Sequence, residues 1–250
     1  EGVLLEGRGM TKHYGGVVAV SDVDFDVSAG EILGLVGPNG AGKTTLVDII
    51  TGAQPATGGE LTLNGQPLTG TPARRARQGL ARTFQHPLLS PEDTVLENLM
   101  TGVSAHRLHS VGGMLAGIVT GILRGPGPDL ATACEVADEL GITRLDRLCG
   151  DLSLGEQRLV EVARALAQDP TVMLLDEPFA GADAQSVVGI IDAIRMVQAR
   201  HRGVILVDHN VDLIASLADR VLLLDGGEVV FDGTPVDCLA SPEMQTVYFG

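Results

Sequence analysis

The chain has 250 residues, of which 44% are hydrophobic and 20% charged, and its formal net charge is −15 at pH 7. This length suffices for one domain with a subdomain and a substantial core. The acidic balance argues against a nucleic-acid-binding protein and against direct attachment to anionic lipid, because both need a basic face. The longest apolar run, Met114 to Leu123, is interrupted by Gly117 and Gly121. It is far shorter than the roughly 20 residues of a membrane-spanning helix, which predicts a soluble chain.

The cysteines and the first residues give two further expectations. Cys134, Cys149 and Cys238 are far apart and form no C-x-x-C pair, which predicts neither a disulfide framework nor a zinc site and fits a reducing cytosol. No signal peptide is evident, and the chain begins with Glu1 instead of Met. This start is compatible with a processed chain or with a domain of a longer polypeptide.

The first third of the chain predicts two kinds of strand. Residues 23–27 alternate apolar and polar side chains, the apolar residues 17–20 precede them, and residues 61–65 show the same alternation. This period-two pattern is typical of half-buried antiparallel strands. Between them, residues 32–36 form a continuous apolar run that ends at a glycine-rich loop. Such a run indicates a buried parallel strand, followed here by a helix that begins near Lys43.

The rest of the chain continues this α/β pattern around a helical insertion. The apolar runs at 172–175 and 204–207 predict neighbours of the first parallel strand. Helical spacing of apolar residues predicts inserted helices within residues 87–164. Residues 220–231 predict a hairpin with a Gly-Gly turn.

The glycine-rich loop, residues 37–45, carries a specific motif. Gly37, Gly42, Lys43 and Thr44 match G-x-x-x-x-G-K-[ST] between a predicted strand and a predicted helix. The glycines let backbone N–H groups curl around phosphates, the Lys adds a positive charge, and the Thr hydroxyl can ligate Mg²⁺. A glycine turn beside a surface Lys is the structural alternative, but it leaves the preceding apolar strand unexplained.

Two carboxylates follow the apolar run at 172–175. Asp176 and Glu177 leave the predicted sheet at the edge where a nucleotide would lie. Asp176 is suited to hold Mg²⁺ through water, and Glu177 is suited to orient and polarise an attacking water. An Asp-Glu pair alone is usually a solvated strand end. Its place downstream of a phosphate loop favours the catalytic interpretation.

Two single residues are candidates of lower specificity. His209 follows the apolar run at 204–207 and Asp208, where an imidazole could reach the γ-phosphate. Gln85 could bind Mg²⁺ or the attacking water. By themselves, a strand-end His is more often a surface or capping residue and a lone Gln is more often structural.

Residues 151–157 read Asp-Leu-Ser-Leu-Gly-Glu-Gln and resemble the signature loop of ATP-binding-cassette (ABC) ATPases. The order of all these motifs is similar to that family across essentially the whole chain. The resemblance implies an α/β fold, namely a P-loop NTPase core of mainly parallel sheet with helices, an antiparallel β subdomain and an inserted α-helical subdomain. It implies one domain over 1–250, with the RecA-like core and antiparallel layer in 1–86 and 165–250, and the helical subdomain with the signature loop in 87–164.

The resemblance also assigns roles. Tyr14 looks like the aromatic residue that stacks on adenine, Gln85 like the Q-loop glutamine, Asp183 like the D-loop aspartate and His209 like the switch histidine. ATP with Mg²⁺ would lie between the phosphate loop of one subunit and the signature loop of another, so that hydrolysis loosens the dimer. The implied nucleotide contacts are Tyr14, Val20, Gly37, Asn39, Gly40, Ala41, Gly42, Lys43, Thr44, Thr45, Ser153, Gly155, Glu156, Gln157 and Asp183. The implied metal ligands are Thr44, Gln85 and Asp176, and the implied catalytic residues are Glu177, His209 and Gln85.

Two positions depart from the usual motifs of the family. Leu154 stands where the family usually has glycine, and Ala182 stands where leucine is common. The first departure resembles a subset of importer ATPases that tolerate a bulky residue there. Together the departures motivate an alternative, a binding-only cassette that supports an active partner, which the intact Lys43, Glu177 and His209 oppose.

Three segments resemble the ATPases of branched-chain amino acid importers of the Liv type. They are residues 82–98, the Gly-rich insert at 104–127, and the ending at 232–250. The resemblance implies an ATP-hydrolysing subunit that powers import of branched-chain amino acids at the cytoplasmic face of the membrane. The implied partners are transmembrane permease subunits, a second identical or homologous ATPase subunit and, indirectly, a solute-binding protein. Nucleic acid is not an expected partner.

Several alternatives stay open at this point. Urea-importer ATPases share much of the pattern, and lipopolysaccharide-export ATPases share part of it. A soluble ABC ATPase that acts on ribosomes or DNA is a further alternative, which the acidic charge opposes. The insert is either a variable surface loop or apolar surface for the permease at Val111 to Leu123. Some relatives are fused behind their permease, which is one interpretation of the missing initiating Met.

Overall fold

The computed structural model describes residues 2–84, 88–107 and 128–249. Two predictions therefore fall outside the described residues, namely Gln85 and the part of the Gly-rich insert at 108–127. Among the residues that are described, no helix is both long and apolar enough to span a lipid bilayer.

Strands and helices follow the predicted α/β order. The strands are β1 (Val3–Tyr14), β2 (Val17–Ser28), β3 (Ile32–Val36), β4 (Gly58–Leu63), β5 (Gln66–Pro67), β6 (Leu80–Arg82), β7 (Val172–Asp176), β8 (Gly203–Val207), β9 (Arg220–Asp225) and β10 (Glu228–Gly233). The α-helices are α1 (Lys43–Thr51), α2 (Pro72–Arg77), α3 (Val95–Arg107), α4 (Pro128–Glu139), α5 (Leu154–Leu166), α6 (Ala184–Ala199), α7 (Val211–Leu217), α8 (Pro235–Ala240) and α9 (Pro242–Phe249). A short 3₁₀ helix spans Cys149–Asp151.

The antiparallel sheet has the strand order β2-β1-β4-β5. Its strand β2 confirms the predicted alternation, because Val23, Phe25 and Val27 are buried whereas Asp24 is exposed. Strand β4 begins earlier than predicted and ends at Leu63. The two residues after Leu63 have φ of 52° and 69°, which turn the chain into β5.

The second sheet has the order β10-β9-β3-β8-β7-β6. Its strands from β9 to β6 are parallel, and β10 runs antiparallel to β9 as the outer strand of the predicted hairpin. Every residue of β3 and β8 is buried, which explains their continuous apolar sequences. Because the strands are parallel, the segments that follow β3, β7 and β8 begin at one edge of the sheet.

One hydrophobic core joins the two sheets and α1. It includes Leu5 and Val27 of the antiparallel sheet, Ile50 of α1, and Leu174 and Ile205 of the parallel sheet, all at most 2% exposed. At roughly 25 cal/mol per Å² of apolar surface removed from water, such a core is the main stabilising contribution to the fold. It also fixes the position of α1 directly behind the phosphate loop.

The described residues pack as two compact units. The first contains Glu1–Arg82, Thr171–Glu177 and Val197–Gly250, and therefore both sheets. The second contains Thr83–Pro170 and Pro178–Met196, in which α3 packs on α4 and α5. This second unit is larger than the predicted helical subdomain of 87–164, because it includes the chain on both sides of that range and the first part of α6.

Arg82 ties α1 to the parallel sheet inside the first unit. One guanidinium nitrogen, Nη2, lies 2.9 Å from Asp176 Oδ2, and the other, Nη1, lies 3.0 Å from Asp48 Oδ1 and 3.2 Å from Thr51 Oγ1. The Arg82 and Asp176 side chains are only 14% and 15% exposed. In this environment a planar guanidinium can satisfy two carboxylates at once, which an ammonium group cannot reproduce.

We predict that Arg82→Met lowers the free energy of unfolding by about 2–3 kcal/mol, because it removes the guanidinium that bonds two partly buried carboxylates. Adding Asp48→Asn should restore part of the loss, since it removes the charge of one of these two carboxylates. Urea unfolding followed by circular dichroism measures both effects. The matched control is Arg8→Met, which removes an arginine whose side chain is 57% exposed in an ion pair with Glu6, and it should leave stability unchanged. Equal stability of Arg82→Met and wild type would contradict the prediction.

Candidate active site

The phosphate loop, residues 37–45, joins β3 to α1 and is pressed against its neighbours. Gly37 has φ of 149°, and a Cβ at this position would collide with the carbonyl oxygen of Leu224. Gly42 has φ of 101°, and a Cβ there would lie 2.6 Å from the carbonyl oxygen of Ala19. Only glycine satisfies both the backbone conformation and the close approach. The two glycines of the motif are therefore required by the fold as well as by a ligand.

Lys43 lies across the loop as a half-buried cation. Its ammonium group donates hydrogen bonds to the carbonyl oxygen of Gly37 and, at 3.0 Å, to that of Pro38. Burial lowers the pKa of Lys43, and the negative charges of Glu177 and Asp176 partly oppose this shift. The ammonium group thus interacts electrostatically with both carboxylates. An ammonium group and backbone N–H groups at a helix N-terminus are a donor set that fits a polyphosphate.

The other predicted contacts of the loop differ in exposure. Asn39, Gly40 and Thr44 are exposed, and Thr45 is half-buried. In contrast, the Val20 side chain is 0% exposed, because it lies beneath Gly42, and Ala41 is 2% exposed. The exposed residues can face a ligand, whereas the buried pair supports the loop from behind.

Glu177 directly follows the last residue of β7 and has a strained backbone conformation. Its φ is 47°, a left-handed value that costs a non-glycine residue about 1–2 kcal/mol. Its N–H donates to the carbonyl oxygen of Val207 at 2.8 Å and so continues the β7–β8 ladder by one residue. Left-handed residues that are held by neighbouring structure cluster at functional sites. This left-handed conformation turns the chain sharply just after Asp176, whose carboxylate is bound by Arg82.

His209 and Asp208 follow β8 as an exposed ring and a buried carboxylate. The His209 side chain is 70% exposed, and its Nδ1 lies 3.5 Å from Oδ1 of Asp208, which is 2% exposed. Burial raises the pKa of Asp208, and the N–H of Asn210, which donates to the same oxygen at 2.9 Å, opposes the shift. Oδ2 of Asp208 has no hydrogen-bond partner among the described residues. The carboxylate can hold Nδ1 of the ring and leave Nε2 for a ligand.

Sequence reasoning missed Asp208 and Arg82 as parts of this site. A carboxylate directly before a strand-end histidine was the available signal for Asp208. No local pattern marks Arg82, because its partners come from α1 and from the end of β7.

Tyr14 ends β1 and is 46% exposed. The Nζ atom of Lys12 lies 4.9 Å from the ring centroid, a cation–π contact that orients the ring. Lys12 is itself 7% exposed and donates to the carbonyl oxygen of Pro55 at 2.6 Å. The ring is therefore held from below and remains half open to solvent, as a stacking surface requires.

The signature loop begins α5 with a capping box. Ser153 Oγ accepts the N–H of Glu156 at 3.2 Å, and Glu156 Oε2 accepts the N–H of Ser153 at 2.7 Å. The latter bond lowers the pKa of Glu156, and Arg147 Nη1 pairs with its other oxygen at 3.2 Å. Reciprocal capping satisfies two N–H groups of the first turn. Because Ser153 uses a lone pair here, its hydroxyl proton can be donated elsewhere.

The side chains of Gln157 and Asp183 form hydrogen bonds to backbone groups near them in the chain. The Gln157 amide donates to the carbonyl oxygens of Cys149 at 3.2 Å and Leu152 at 3.1 Å. Asp183 Oδ1 accepts the N–H of Ser186 at 2.8 Å, which lowers the pKa of Asp183. Both side chains thus have structural partners in the chain, and their contact with a nucleotide stays a prediction.

The two departures from the family motif lie close together. The Leu154 side chain packs directly on Gly181, where a Cβ would collide with it, and Gly181 has φ of 71°. A Cβ at Gly155 would lie 3.5 Å from Cα of Ala182. The signature loop and the D-loop segment of one chain are therefore in direct contact inside the second unit.

Buried charges on α5 hold the residues that flank the predicted Q-loop. Glu161 Oε1 accepts the N–H groups of Phe84 at 3.2 Å and Leu88 at 3.4 Å. Arg158 donates to the carbonyl oxygen of Phe84 at 2.7 Å, and Arg164 donates to that of Leu88 at 2.6 Å. Glu161 and Arg158 are 1% and 2% exposed, and burial raises the pKa of Glu161. The signature helix thus anchors both ends of that segment.

The structure therefore groups the candidate residues in two sets. Within the unit of the two sheets, the phosphate loop, Asp176, Glu177 and His209 lie at the carboxyl edge of the parallel sheet. The signature loop and Asp183 lie together in the second unit.

Comparison with known proteins identifies the family. The sequence profile described as "ABC transporter" matches residues 20–180. The high-affinity branched-chain amino acid transport ATP-binding protein BraF of Pseudomonas aeruginosa is 33% identical, over 99% of this chain and 98% of its own length. The high-affinity branched-chain amino acid transport ATP-binding protein LivG of Escherichia coli is 32% identical, over 99% of this chain and 98% of its own length. An uncharacterized ABC transporter ATP-binding protein of Rhizobium meliloti is 37% identical, over 100% of this chain and 87% of its own length.

Solved structures agree with this assignment. A nucleotide-free ATP-binding cassette from an ABC transporter has a TM-score of 0.85 and 27% identity, with 100% of both chains covered. The ADP conformation of an ATP-binding cassette of an ABC transporter gives the same values. These likenesses confirm the predicted fold. The chain belongs to the ABC transporter family, as one of its ATP-binding and ATP-hydrolysing cassettes.

Proposed function

We propose that this ATPase powers an importer of branched-chain amino acids by closing and opening against a second ATPase subunit. The observation that supports the catalytic part is the carboxyl edge of the parallel sheet, which gathers the phosphate loop, Asp176, Glu177 and His209. The cargo is supported by the full-length similarity to BraF and LivG, whose names state branched-chain amino acid transport.

In this proposal the phosphate loop binds the triphosphate of ATP. Lys43 and the loop N–H groups contact the phosphates, and Tyr14 stacks on adenine. The hydroxyl of Thr44 and the carboxylate of Asp176, with Gln85, would hold Mg²⁺, which neutralises charge on the phosphate oxygens when it is bound. Arg82 keeps Asp176 in place through their 2.9 Å contact. The residues present thus fit both ATP and Mg²⁺.

Glu177 and His209 perform the chemistry. The Glu177 carboxylate orients and polarises the attacking water, as the water-positioning residue of a phosphoryl transfer does. His209 Nε2 donates to the γ-phosphate while Asp208 holds Nδ1. The left-handed backbone of Glu177 turns the chain at the sheet edge, and its carboxylate interacts electrostatically with Lys43.

The site is completed by the signature loop of a second subunit in a head-to-tail dimer. The free hydroxyl proton of Ser153 and the N–H groups around Gly155, at the N-terminus of α5, supply donors for a γ-phosphate that the partner's phosphate loop holds. Hydrolysis removes a ligand shared by both subunits, so the dimer loosens. Transmembrane permease subunits convert this cycle into transport, a solute-binding protein delivers cargo to them, and the ATPase lies at the cytoplasmic face of the membrane.

We predict that Glu177→Gln keeps ATP binding but lowers turnover by a factor of about 100 or more, because the amide cannot polarise water. ATP should then accumulate in a closed dimer that size-exclusion chromatography with light scattering detects. Glu228→Gln, which changes an exposed glutamate of β10, should behave as wild type. Undiminished turnover in Glu177→Gln would remove this residue from its role.

A second prediction tests the sharing of sites between subunits. Lys43→Ala and Ser153→Ala should each be inactive, yet a mixture of the two should recover part of the ATPase activity. In their mixed dimer, one site combines the intact phosphate loop of one chain with the intact signature loop of the other. A mixture of Lys43→Ala with Glu177→Gln should stay inactive, because both defects lie on the phosphate-loop side. Recovery in the control, or its absence in the first mixture, would argue against a head-to-tail site.

The cargo has its own test in living cells. A strain that lacks this chain should lose uptake of labelled leucine, isoleucine and valine, and the wild-type gene, but not Glu177→Gln, should restore it. Urea uptake in the same strain provides the comparison. Normal leucine uptake with loss of urea uptake would replace the proposed cargo by the alternative.

A further inference from the structure

The C-terminal helix α9 reaches the first residue of the phosphate loop. The N–H of Gly37 donates to the hydroxyl oxygen of Tyr248 at 3.2 Å, across 211 residues of sequence. Burial raises the pKa of the Tyr248 phenol, and the N–H of Gly37 opposes the shift. The hydroxyl is therefore protonated at neutral pH. As a neutral group it accepts the backbone N–H and still has a proton to donate.

The N–H of Gly37 needs such a partner because Gly37 is buried. A Cβ at this position would collide with the carbonyl oxygen of Leu224, so no larger residue fits here. A buried N–H without a partner costs about as much as a lost hydrogen bond. Further along the loop, the N–H of Gly227 donates to the carbonyl oxygen of Ala41 at 3.0 Å. The Tyr248 side chain of α9 thus adds to the support that the loop receives from the strands around it.

Tyr248 is presented by a packed helix. The start of α9 is capped by Ser241, whose Oγ accepts the N–H of Met244 at 3.1 Å and donates to the carbonyl oxygen of Cys238 at 2.8 Å. Ser241, Met244 and Cys238 are 5%, 4% and 1% exposed. Tyr248 follows Met244 by four residues and so shares its inward face of the helix. The helix that carries Tyr248 is consequently anchored at its start by buried contacts.

We propose that Tyr248 is a positioning residue for the nucleotide site, whose hydroxyl sets the phosphate loop through Gly37 and thereby makes ATP affinity depend on the C-terminal helix. This inference rests on the proposed role of residues 37–45 in holding the phosphates of ATP. Tyr248 itself needs no contact with the nucleotide. Its effect is on the arrangement of N–H donors that the loop presents before ATP arrives, which is preorganisation of a binding site.

The test uses the full chain with Tyr248→Phe, which removes only the hydroxyl. We expect the dissociation constant for a fluorescent ATP analogue to rise by about 3–10-fold. This is the effect of losing one hydrogen bond that orders the loop before ATP binds. The KM for ATP should rise by a similar factor while kcat stays close to wild type, because Glu177 and His209 are untouched. The unfolding temperature without nucleotide should fall by only a few degrees, the expected effect of losing one hydrogen bond in a chain of this size. A purely structural role would lower that temperature in the same way but leave the KM for ATP unchanged.

The matched control is Thr246→Val on the same helix, whose exposed hydroxyl donates to the carbonyl oxygen of Pro242 at 2.9 Å. Wild-type affinity in Tyr248→Phe, or an equal loss in Thr246→Val, would overturn the inference. Lys43→Ala separates this outcome from a failure of the proposed function. If Lys43→Ala binds the analogue as wild type does, the phosphate loop is not the nucleotide site. If Lys43→Ala loses binding and Tyr248→Phe does not, the inference alone fails.

Discussion

The close contact between the phosphate loop and the strands around it is the constraint on which the candidate site depends. Gly37 leaves no room for a side chain against Leu224, and Gly42 leaves none against Ala19. The loop is thus shaped by β9 and β2 as much as by its own sequence, and the shape directs its N–H groups and Lys43 toward one edge of the sheet. A motif of a few residues becomes a binding site only because two sheets and a core fix the backbone around it.

The same edge concentrates carboxylates, and its chemistry depends on how each one is held. Asp176 has a guanidinium partner in Arg82, whereas Asp208 is buried and lies behind the exposed ring of His209. Glu177 has a strained backbone, and its charge interacts with that of Lys43. Three carboxylates therefore have different surroundings, and the proposal gives them different roles in binding metal, orienting a ring and activating water.

Much of the fold could be predicted because its signals are local. The alternation in residues 23–27 and the apolar run in 32–36 depend only on which faces of a strand are buried, and Lys43 and Asp176 stand beside strands whose order places them together. Arg82 and Tyr248 could not be assigned in this way. Their partners lie up to 211 residues away, and neither residue type is unusual where it stands. The extent of the second unit, which takes in Pro178–Met196, was likewise set by tertiary packing and had no local signal.

The two departures from the family motif are understandable together. Leu154 packs on Gly181, and the next residue, Ala182, has its Cα beside Gly155. A bulky residue in the signature loop thus packs on a D-loop segment that is built of the small residues Gly181 and Ala182. Neither change disturbs the capping box of Ser153, from which the proposed γ-phosphate donors come. Because the loop that would receive the partner's ATP keeps its helix N-terminus intact, the departures favour an altered packing within an active cassette over a cassette that only binds nucleotide.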